Sequence, residues 1–439
     1  MKAFGWIVWS ALSLLLLLTC EETEPFKPNQ NPEIIKFGLI GSGVEARKLG
    51  TFICLVTDED DDSLTYTWSS PAGTFAGSGD TVLWLAPEEV SRYPVLCHVE
   101  DGRGGYVEVN FDVQVFPQYI PEYEWTIYNR DNSGLPSNLL WDVAITSDDV
   151  VWTLDESHDA SRFDGTNWLT WDVASWDDGV DLAVDSQGNA WITAAASWIA
   201  KADESGFSKI SHSGWSYTVA IDKQDNIWVG GRGDDRQARI SKYDGTNWTH
   251  YDSSVTGTAI PEPAAITFDS NNNLWYISMN DSIWGGAGIL TYYDGLNWTT
   301  IEGPAPSWPG CIAIDESDRV WVGTYSGELA SFFENEWTLA PPPSNFWPLT
   351  DIEILNENEI WCSFEYGGIA RANRHSAYLA EDAAWSPVFN TDNSIFSENP
   401  LIYSLASDSK GNIWGALWNH SWPSDSSDVA LFKLSIIDE

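Results

Sequence analysis

Leu182-Ala-Val-Asp-Ser-Gln-Gly-Asn-Ala-Trp191 decides the fold, because its pattern returns along most of the chain. An apolar strand is followed by a turn of Asp, Gly or Asn and then by a tryptophan in a second strand. A search for internal repeats finds seven copies of this phrase. Their tryptophans are Trp152, Trp191, Trp228, Trp275, Trp321, Trp361 and Trp414.

A second hairpin follows in most copies, as in Phe163-Asp-Gly-Thr-Asn-Trp168. Asp-Gly between apolar strands is a strong signal for a tight turn, so each unit has four antiparallel strands. Because a unit of about 40 residues cannot bury its own faces, we predict that the chain is all-β and that residues 118–439 form a seven-bladed β-propeller. The last unit lacks a fourth strand, which we expect the lone strand Trp125-Thr-Ile-Tyr128 to supply.

Asn132-Ser-Gly-Leu-Pro-Ser-Asn138 precedes the first Trp and Asp-Gly phrases. Together these phrases resemble the two-component-regulator propeller repeat, which forms the periplasmic sensor region of Bacteroidota hybrid regulators. No kinase or DNA-binding region is found in this sequence, so a signalling role does not carry over. The resemblance implies the propeller fold and the sensing of a ligand, with a glycan as one class.

Residues 34–117 contain short runs of alternating polarity separated by turn residues, which predicts a β-sandwich. Cys54, Trp68 and Cys97 occur in the order found in immunoglobulin-like and PKD-type domains of bacterial surface proteins, which this segment resembles. The resemblance implies a Cys54–Cys97 disulfide packed against Trp68 in an oxidising compartment. We expect this domain to act as a spacer.

One charge run, Asp58-Glu-Asp-Asp-Asp62, lies between two predicted strands of the sandwich. Clustered carboxylates could hold Ca²⁺, which would offset their mutual repulsion. A solvated loop is the simpler interpretation and is favoured from sequence.

The N-terminus, Met1-Lys2 followed by an apolar run and Leu17-Leu-Thr-Cys20, resembles a bacterial lipoprotein signal. The resemblance implies a signal peptide at 1–19, a lipidated Cys20, a linker at 20–33 and a surface-exposed outer membrane lipoprotein. An ordinary cleaved signal peptide with an incidental cysteine is the alternative. We expect membrane contact only through the lipid anchor.

The chain carries 21 Lys+Arg against 65 Asp+Glu, a formal charge of −44. Such a polyanion is repelled by nucleic acid, and no basic cluster offsets the repulsion. An aromatic content of 14% excludes a disordered acidic chain. Cys311 and Cys362 fall in different units, so we expect two buried free thiols.

Nearly all tryptophans outside the repeat framework, the sandwich and the signal fall in loops that open on one face of the propeller. Those that precede an innermost strand are Trp141, Trp176, Trp215, Trp308 and Trp347, with Tyr403 in the equivalent place of the last unit. Those that follow a second strand are Trp198, Trp284, Trp418 and Trp422, beside Tyr325 and Tyr366. Arg232 and Arg236 lie on the same face and could receive a carboxylate or sulfate. The alternative is that these rings close the channel and pack under neighbouring loops.

An aromatic rim suits sugar rings, so we expect an extracellular ligand, with a carbohydrate favoured. A polysaccharide lyase or hydrolase at the same mouth is the first alternative, and a scaffold for other surface proteins is the second. Candidate acid–base residues for an enzyme would be His158, His212 and His420 with Glu262, Asp142, Asp178 and Asp351. Their spacing matches no metal-ligand or nucleophile motif, so we expect no catalytic residue, no bound metal at the mouth and no other cofactor. We interpret the turns Asp185–Asn189, Asp222–Asn226 and Asp408–Asn412 as hairpin chemistry on the opposite face and not as calcium sites.

Overall fold

The structure is a computed structural model that divides into two compact units, residues 1–119 and 120–439. The described part of the chain contains thirty-six strands. No helix in that part is long and apolar enough to cross a membrane. The described residues are 28–40, 44–116, 122–157, 159–172, 179–253, 262–279, 288–301, 309–343, 346–356, 359–373, 385–390, 393–396, 400–418 and 429–437. The predicted signal peptide, its Cys20 and most of the linker lie outside them.

The first unit is a sandwich of two four-stranded sheets, ordered β1-β3-β6-β5 and β2-β8-β7-β4. Its strands are β1 (Glu33–Leu39), β2 (Val44–Glu45), β3 (Leu49–Thr57), β4 (Thr65–Ser69), β5 (Thr74–Ala76), β6 (Thr81–Leu85), β7 (Arg92–Glu100) and β8 (Tyr106–Phe116). Phe52 and Trp84 of one sheet share a buried core with Val95 and Val113 of the other. Alternation of buried and exposed residues along β3 and β7 produces this packing, as the sequence pattern predicts.

Cys54 on β3 and Cys97 on β7 face each other from opposite sheets, and both are fully buried beside Trp68. The structure has them as free thiols and not as the disulfide that the resemblance implies. Contact with Cys54, together with burial, raises the pKa of the Cys97 thiol. A bridge would require an oxidant to remove two electrons and two protons from this pair, so it stays a prediction for an oxidising compartment. Cys311 and Cys362 are buried free thiols in the structure.

In the second unit, the described residues form seven four-stranded antiparallel sheets. The first four sheets contain β10 (Leu140–Ile145), β11 (Val151–Asp155), β12 (Asp159–Phe163), β13 (Trp168–Asp172); β14 (Gly179–Val184), β15 (Ala190–Ala194), β16 (Trp198–Asp203), β17 (Gly206–Ser211); β18 (Trp215–Ile221), β19 (Ile227–Arg232), β20 (Ala238–Tyr243), β21 (Trp248–Tyr251); and β22 (Pro263–Phe268), β23 (Leu274–Met279), β24 (Gly288–Tyr293), β25 (Trp298–Ile301). Each of these sheets is a simple meander of consecutive strands.

The last three sheets contain β26 (Pro309–Ile314), β27 (Val320–Thr324), β28 (Leu329–Phe333), β29 (Glu336–Ala340); β30 (Trp347–Asn356), β31 (Glu359–Tyr366), β32 (Gly368–Asn373), β33 (Trp385–Phe389); and β34 (Ile402–Ser407), β35 (Ile413–Leu417), β36 (Leu431–Ile437) with β9 (Glu122–Tyr128). The first strand of each sheet contacts the first strand of the next, and β34 contacts β10. The sheets therefore close into a ring.

Ring closure follows the prediction, because β9 pairs antiparallel with β36 and completes the last sheet. Trp125 of β9 lies opposite Leu434 and packs edge-on against Phe389, Phe396 and Phe432, with ring centroids 5.3–5.4 Å apart. The N-terminal strand of the unit thus joins the C-terminal strand, so that β36 is paired along both of its edges.

The repeated tryptophans are held by the turns that precede them. Trp191 donates its indole N–H to Asp185 at 2.9 Å, and the Asn189 amide donates to the same carboxylate. The same indole-to-carboxylate bond recurs in four more units, at Trp228–Asp222, Trp275–Asp269, Trp321–Asp315 and Trp414–Asp408. These carboxylates receive their bonds from neighbouring protein groups, in keeping with their interpretation as hairpin chemistry.

Candidate ligand site in the central channel

A cavity of about 440 Å³ lies in the ring and is lined by residues of the innermost strands of the sheets. Each of these strands carries a β-bulge at the same place, between Leu140 and Asp142 in β10 and at the equivalent residues of β14, β18, β22, β26, β30 and β34. A bulge re-aims the side chain of its extra residue. Those extra residues that line the cavity are Trp141, Tyr217, Ala264, Gly310, Thr350 and Tyr403.

Three predicted rim residues, Trp141, Tyr403 and Trp418, form one aromatic group that we call the seam cluster. The rings of Trp141 and Trp418 have centroids 3.9 Å apart, and Tyr403 lies 5.2 Å from Trp141. The main-chain N–H of Trp418 donates to the Leu401 carbonyl at 2.7 Å, and a β-bridge between Trp418 and Leu139 joins it to the start of the first sheet. Burial raises the pKa of Tyr403 to about 12, so its hydroxyl keeps its proton and can donate a hydrogen bond.

A second aromatic group, the outer cluster, consists of Tyr325, Trp347 and Tyr366. Trp347 lies 6.0 Å from Tyr325 and 5.3 Å from Tyr366, between ring centroids. The three residues are 54%, 45% and 36% exposed, respectively. Trp347 begins the innermost strand β30 opposite Tyr366, so the outer cluster lies at the same end of these strands as Trp141 near the start of β10.

Three aspartates, Asp142, Asp181 and Asp351, directly follow bulge residues and line the cavity. Each accepts a hydrogen bond from a main-chain N–H of the next sheet: Asp142 from Leu182 at 2.8 Å, Asp181 from Val219 at 2.7 Å and Asp351 from Leu405 at 2.8 Å. These bonds connect neighbouring sheets around the channel. They also leave carboxyl groups at the wall of the cavity.

Burial changes the acidity of these carboxyl groups, since a charged carboxylate is disfavoured away from bulk water. Burial raises the pKa of Asp142 and Asp181, and raises that of Asp351 to about 6. For Asp142 the neighbouring charges of Asp181 and Asp351 raise the pKa further. Burial therefore favours the protonated form of these carboxyl groups, and a protonated carboxyl group can donate as well as accept a hydrogen bond.

The two arginines expected to receive an anion differ in their surroundings. Arg232 forms an ion pair with Glu262, so a carboxylate of this chain already balances its charge. Arg236 is exposed at the tip of the β19–β20 hairpin, where its backbone has a φ of 63°. The pairing also engages Glu262, the candidate carboxylate of the enzyme hypothesis.

Trp198 and Trp215 lie away from the seam cluster. Trp198 packs against the core between the first two sheets, and the Lys209 ammonium lies 3.8 Å from its ring centroid. Its position reflects the β16 register, which turns the side chain toward the neighbouring sheet and not toward the channel. Trp215 begins β18 opposite Arg232 and is 47% exposed.

His212 is buried and is held in place by contacts with neighbouring side chains. Its ring lies 4.9 Å from that of Trp248, and its Nε2 is 2.6 Å from the Ser216 hydroxyl. Burial lowers the pKa of His212, so the imidazole is neutral at physiological pH. The predicted site residues Trp176, Trp284, Trp308 and Trp422, together with His158, His420 and Asp178, lie outside the described residues.

The sequence interpretation missed Asp181 and Tyr217 of the cavity wall. Both had a detectable signal, because Asp181 occupies the repeat position of Asp142, and Tyr217 that of Trp141 and Tyr403. Comparing units position by position around the bulge would have found them.

No protein-family profile matches this chain, and no curated protein matches it. Solved structures do match its fold. One is the extracellular domain of what is described as a hybrid two-component system from B. thetaiotaomicron, with a TM-score of 0.53 and 17% identity over 72% of this chain and 42% of that one. The second unit is a β-propeller.

Two other propellers support the same conclusion. YCF48 bound to D1 peptide matches with a TM-score of 0.53 and 13% identity, over 73% of this chain and 98% of that one. The WD40 β-propeller domain of Doa1 matches with a TM-score of 0.52 and 10% identity, over 67% and 92%. At these identities the likeness establishes the fold alone, and this chain spans less than half the length of the solved extracellular domain.

Proposed function

We propose that this chain is a cell-surface lipoprotein that binds a carbohydrate at the channel mouth of its propeller. The observation that carries the proposal is the seam cluster beside the carboxyl group of Asp142. A sugar presents C–H groups on its faces, which pack on flat aromatic rings, and hydroxyl groups at its edges, which bond to carboxyl and phenol oxygens. A cavity of about 440 Å³ lies within the usual range of small-molecule sites.

The cell-surface part of the proposal rests on sequence. Residues 1–20 resemble a lipoprotein signal that ends at Cys20, and the acidic residues that follow it resemble a surface-export signal. The Ig-like spacer would then hold the propeller away from the membrane. Metabolic labelling with a fatty-acid analogue tests the anchor, and it should label the wild-type chain but not a Cys20→Ala variant.

The binding claim is tested by applying the chain to a glycan array and measuring the retained glycans by calorimetry. Trp141→Ala should weaken binding, because it removes the central ring of the seam cluster. The matched control is Tyr106→Ala, which removes a 58% exposed aromatic residue of the sandwich. If no glycan is retained, or if both variants bind like the wild type, the carbohydrate proposal is wrong.

A protein–protein interaction surface is the second candidate, and the outer cluster favours it. Three neighbouring aromatic residues that are 36–54% exposed resemble the anchors of interaction sites. A structural neighbour, YCF48, is solved with D1 peptide bound. Crosslinking on intact cells, compared between wild type and Trp347→Ala, distinguishes this candidate, since loss of a crosslinked partner would favour it over a glycan.

An enzyme remains the less favoured candidate. His212 is neutral, buried and bonded to Ser216, and Glu262 is paired with Arg232. Incubating the chain with each retained glycan and measuring product length tests this candidate. Shortened or unsaturated products would overturn a binding-only function.

A further inference from the structure

Three aspartates of the sandwich converge on one point in the loop between β3 and β4. One carboxylate oxygen each of Asp58, Asp60 and Asp62 lies within 4.8 Å of the others. The loop folds in this way because Asp58 Oδ1 accepts the main-chain N–H groups of Asp60 at 2.8 Å and of Asp62 at 3.2 Å. Alternate side chains of the acidic run are thereby turned inward.

Two oxygens of this group have no hydrogen-bond donor. Asp58 Oδ2 and Asp62 Oδ2 are both buried and without a partner in the structure, and the Asp62 side chain is 6% exposed. Leaving a buried acceptor unsatisfied costs about 1–3 kcal/mol, and more when the group is charged. A bound cation would satisfy both oxygens at once.

Arg103 supplies one positive charge to these aspartates, but its position leaves room for a bound cation as well. Its guanidinium lies 3.1 Å from Asp62 Oδ1, the oxygen that is not orphaned, and its side chain is 66% exposed. Among the described contacts, Arg103 pairs with Asp62 Oδ1 and leaves Asp58 Oδ2 and Asp62 Oδ2 without a donor. An exposed arginine can also move away without breaking a buried contact.

We propose that Asp58, Asp60 and Asp62 bind a Ca²⁺ ion. The ligand atoms are all hard oxygens, which Ca²⁺ prefers, and separations within 4.8 Å fit two ligands at about 2.4 Å from a shared ion. The remaining coordination positions would be taken by water or by neighbouring carbonyl oxygens. Bound Ca²⁺ replaces the repulsion within the acidic run by attraction to a common centre.

The ion would also fasten the segment that precedes β1. The Gln30 N–H donates to Asp60 Oδ2 at 2.6 Å, and the Asn29 amide donates to the buried Asp101 at 2.6 Å. Asp101 belongs to the same loop as Arg103, so both loops meet this segment. Holding Asp60 in place by Ca²⁺ therefore orders residues 28–31 against the sandwich, which stiffens the chain where the linker enters the domain.

The test is calorimetric titration of the full chain with CaCl₂, at about 0.15 M salt with excess Mg²⁺ to suppress binding to the acidic surface. We expect one Ca²⁺ per chain, with a dissociation constant of about 0.1–1 mM, the range of extracellular modules. The double variant D58N/D62N should weaken binding by about tenfold or more. The matched control is Asp112→Asn, an exposed acid of β8 in the same domain.

A further variant should increase the Ca²⁺ affinity, which would not happen if the loop had only a structural role. Arg103→Gln removes the competing charge, so it should tighten Ca²⁺ binding by a few-fold. This test does not require the aspartate variants to fold. Limited proteolysis in Ca²⁺ and in EDTA should show protection of the segment before β1 only with Ca²⁺. Absence of saturable binding at about 5 mM Ca²⁺, or equal binding by D58N/D62N and wild type, would overturn the proposal.

Discussion

Trp141 and Trp418 pack against each other with ring centroids 3.9 Å apart, and Trp141 lies in the first sheet of the propeller whereas Trp418 directly follows β35 of the last sheet. The candidate ligand site is therefore built across the seam where the ring closes. β9 completes the same last sheet, so the strand that closes the ring also supports the sheet that carries Trp418. Ring closure and assembly of the site are coupled.

Truncating the closure strand at its main aromatic contact should destabilise the propeller. Trp125→Ala removes contacts with Phe389, Phe396 and Phe432 and should lower the free energy of unfolding by about 3 kcal/mol, measured by urea denaturation. The control is Leu296→Ala, an 86% exposed side chain at a hairpin tip, which should change stability by less than about 0.5 kcal/mol. Equal effects of the two variants would contradict the closure account.

The seam cluster and the outer cluster can be separated by one variant in each. Trp418→Ala should weaken binding of an array-selected glycan by about 1–2 kcal/mol, because one stacking contact is lost. Trp347→Ala should leave that affinity nearly unchanged if the sugar sits in the channel. Calorimetry on both variants measures this, and the reverse ranking would move the site to the outer cluster.

A second set of contacts connects the sheets on the face opposite the channel mouth. The N–H and the hydroxyl of Ser409 both donate to Asp149 at 2.7 Å, and the same arrangement joins Ser186 to Asp225 and Ser270 to Asp318. Asp149→Gly removes both bonds across the seam and should lower the free energy of unfolding by about 1–2 kcal/mol.

Asp149→Ala should cost about 1 kcal/mol more than Asp149→Gly, since the φ of residue 149 is 65° and disfavours a Cβ. Thermal and urea unfolding of the two variants measure the difference. Two variants as stable as wild type would show that these bonds do not hold the ring together.

Glu353 should make stability depend on pH. Burial raises its pKa to about 7, so the folded chain holds this proton at pH values where the unfolded chain has lost it. Stability from this group is therefore highest below about pH 4.5 and falls as the pH rises toward 7, by up to about 3 kcal/mol. Urea unfolding at a series of pH values measures this.

Glu353→Gln removes the titrating group while its side-chain carbonyl can still accept the Ser407 hydroxyl. The decline in stability between about pH 5 and 8 should be smaller in this variant than in wild type. Glu204→Gln, at an exposed position, should leave the decline unchanged. A Glu353→Gln profile parallel to wild type would show that this carboxyl is not perturbed.

The repeat phrase was sufficient to predict the propeller and its closure, because the Asp-to-Trp turn and the Asp-Gly hairpin are local signals. The bulge of each innermost strand was not predictable, since one extra residue carries no distinct sequence mark and yet re-aims its side chain. Trp198 was predicted at the mouth from its position after a second strand, whereas it begins β16 and packs against the core between the first two sheets. Nothing local in the sequence marks Arg232 as paired, since its partner Glu262 directly precedes β22 of the next sheet.

The most direct test of the account is ¹⁹F NMR of the chain labelled with 5-fluorotryptophan, titrated with the glycan that the array retains most strongly. Resonances of Trp141 and Trp418, assigned by Trp→Phe variants, should shift in proportion to ligand occupancy, whereas that of Trp84 in the sandwich core should not. Saturation of binding without a shift at either seam tryptophan would contradict recognition in the channel.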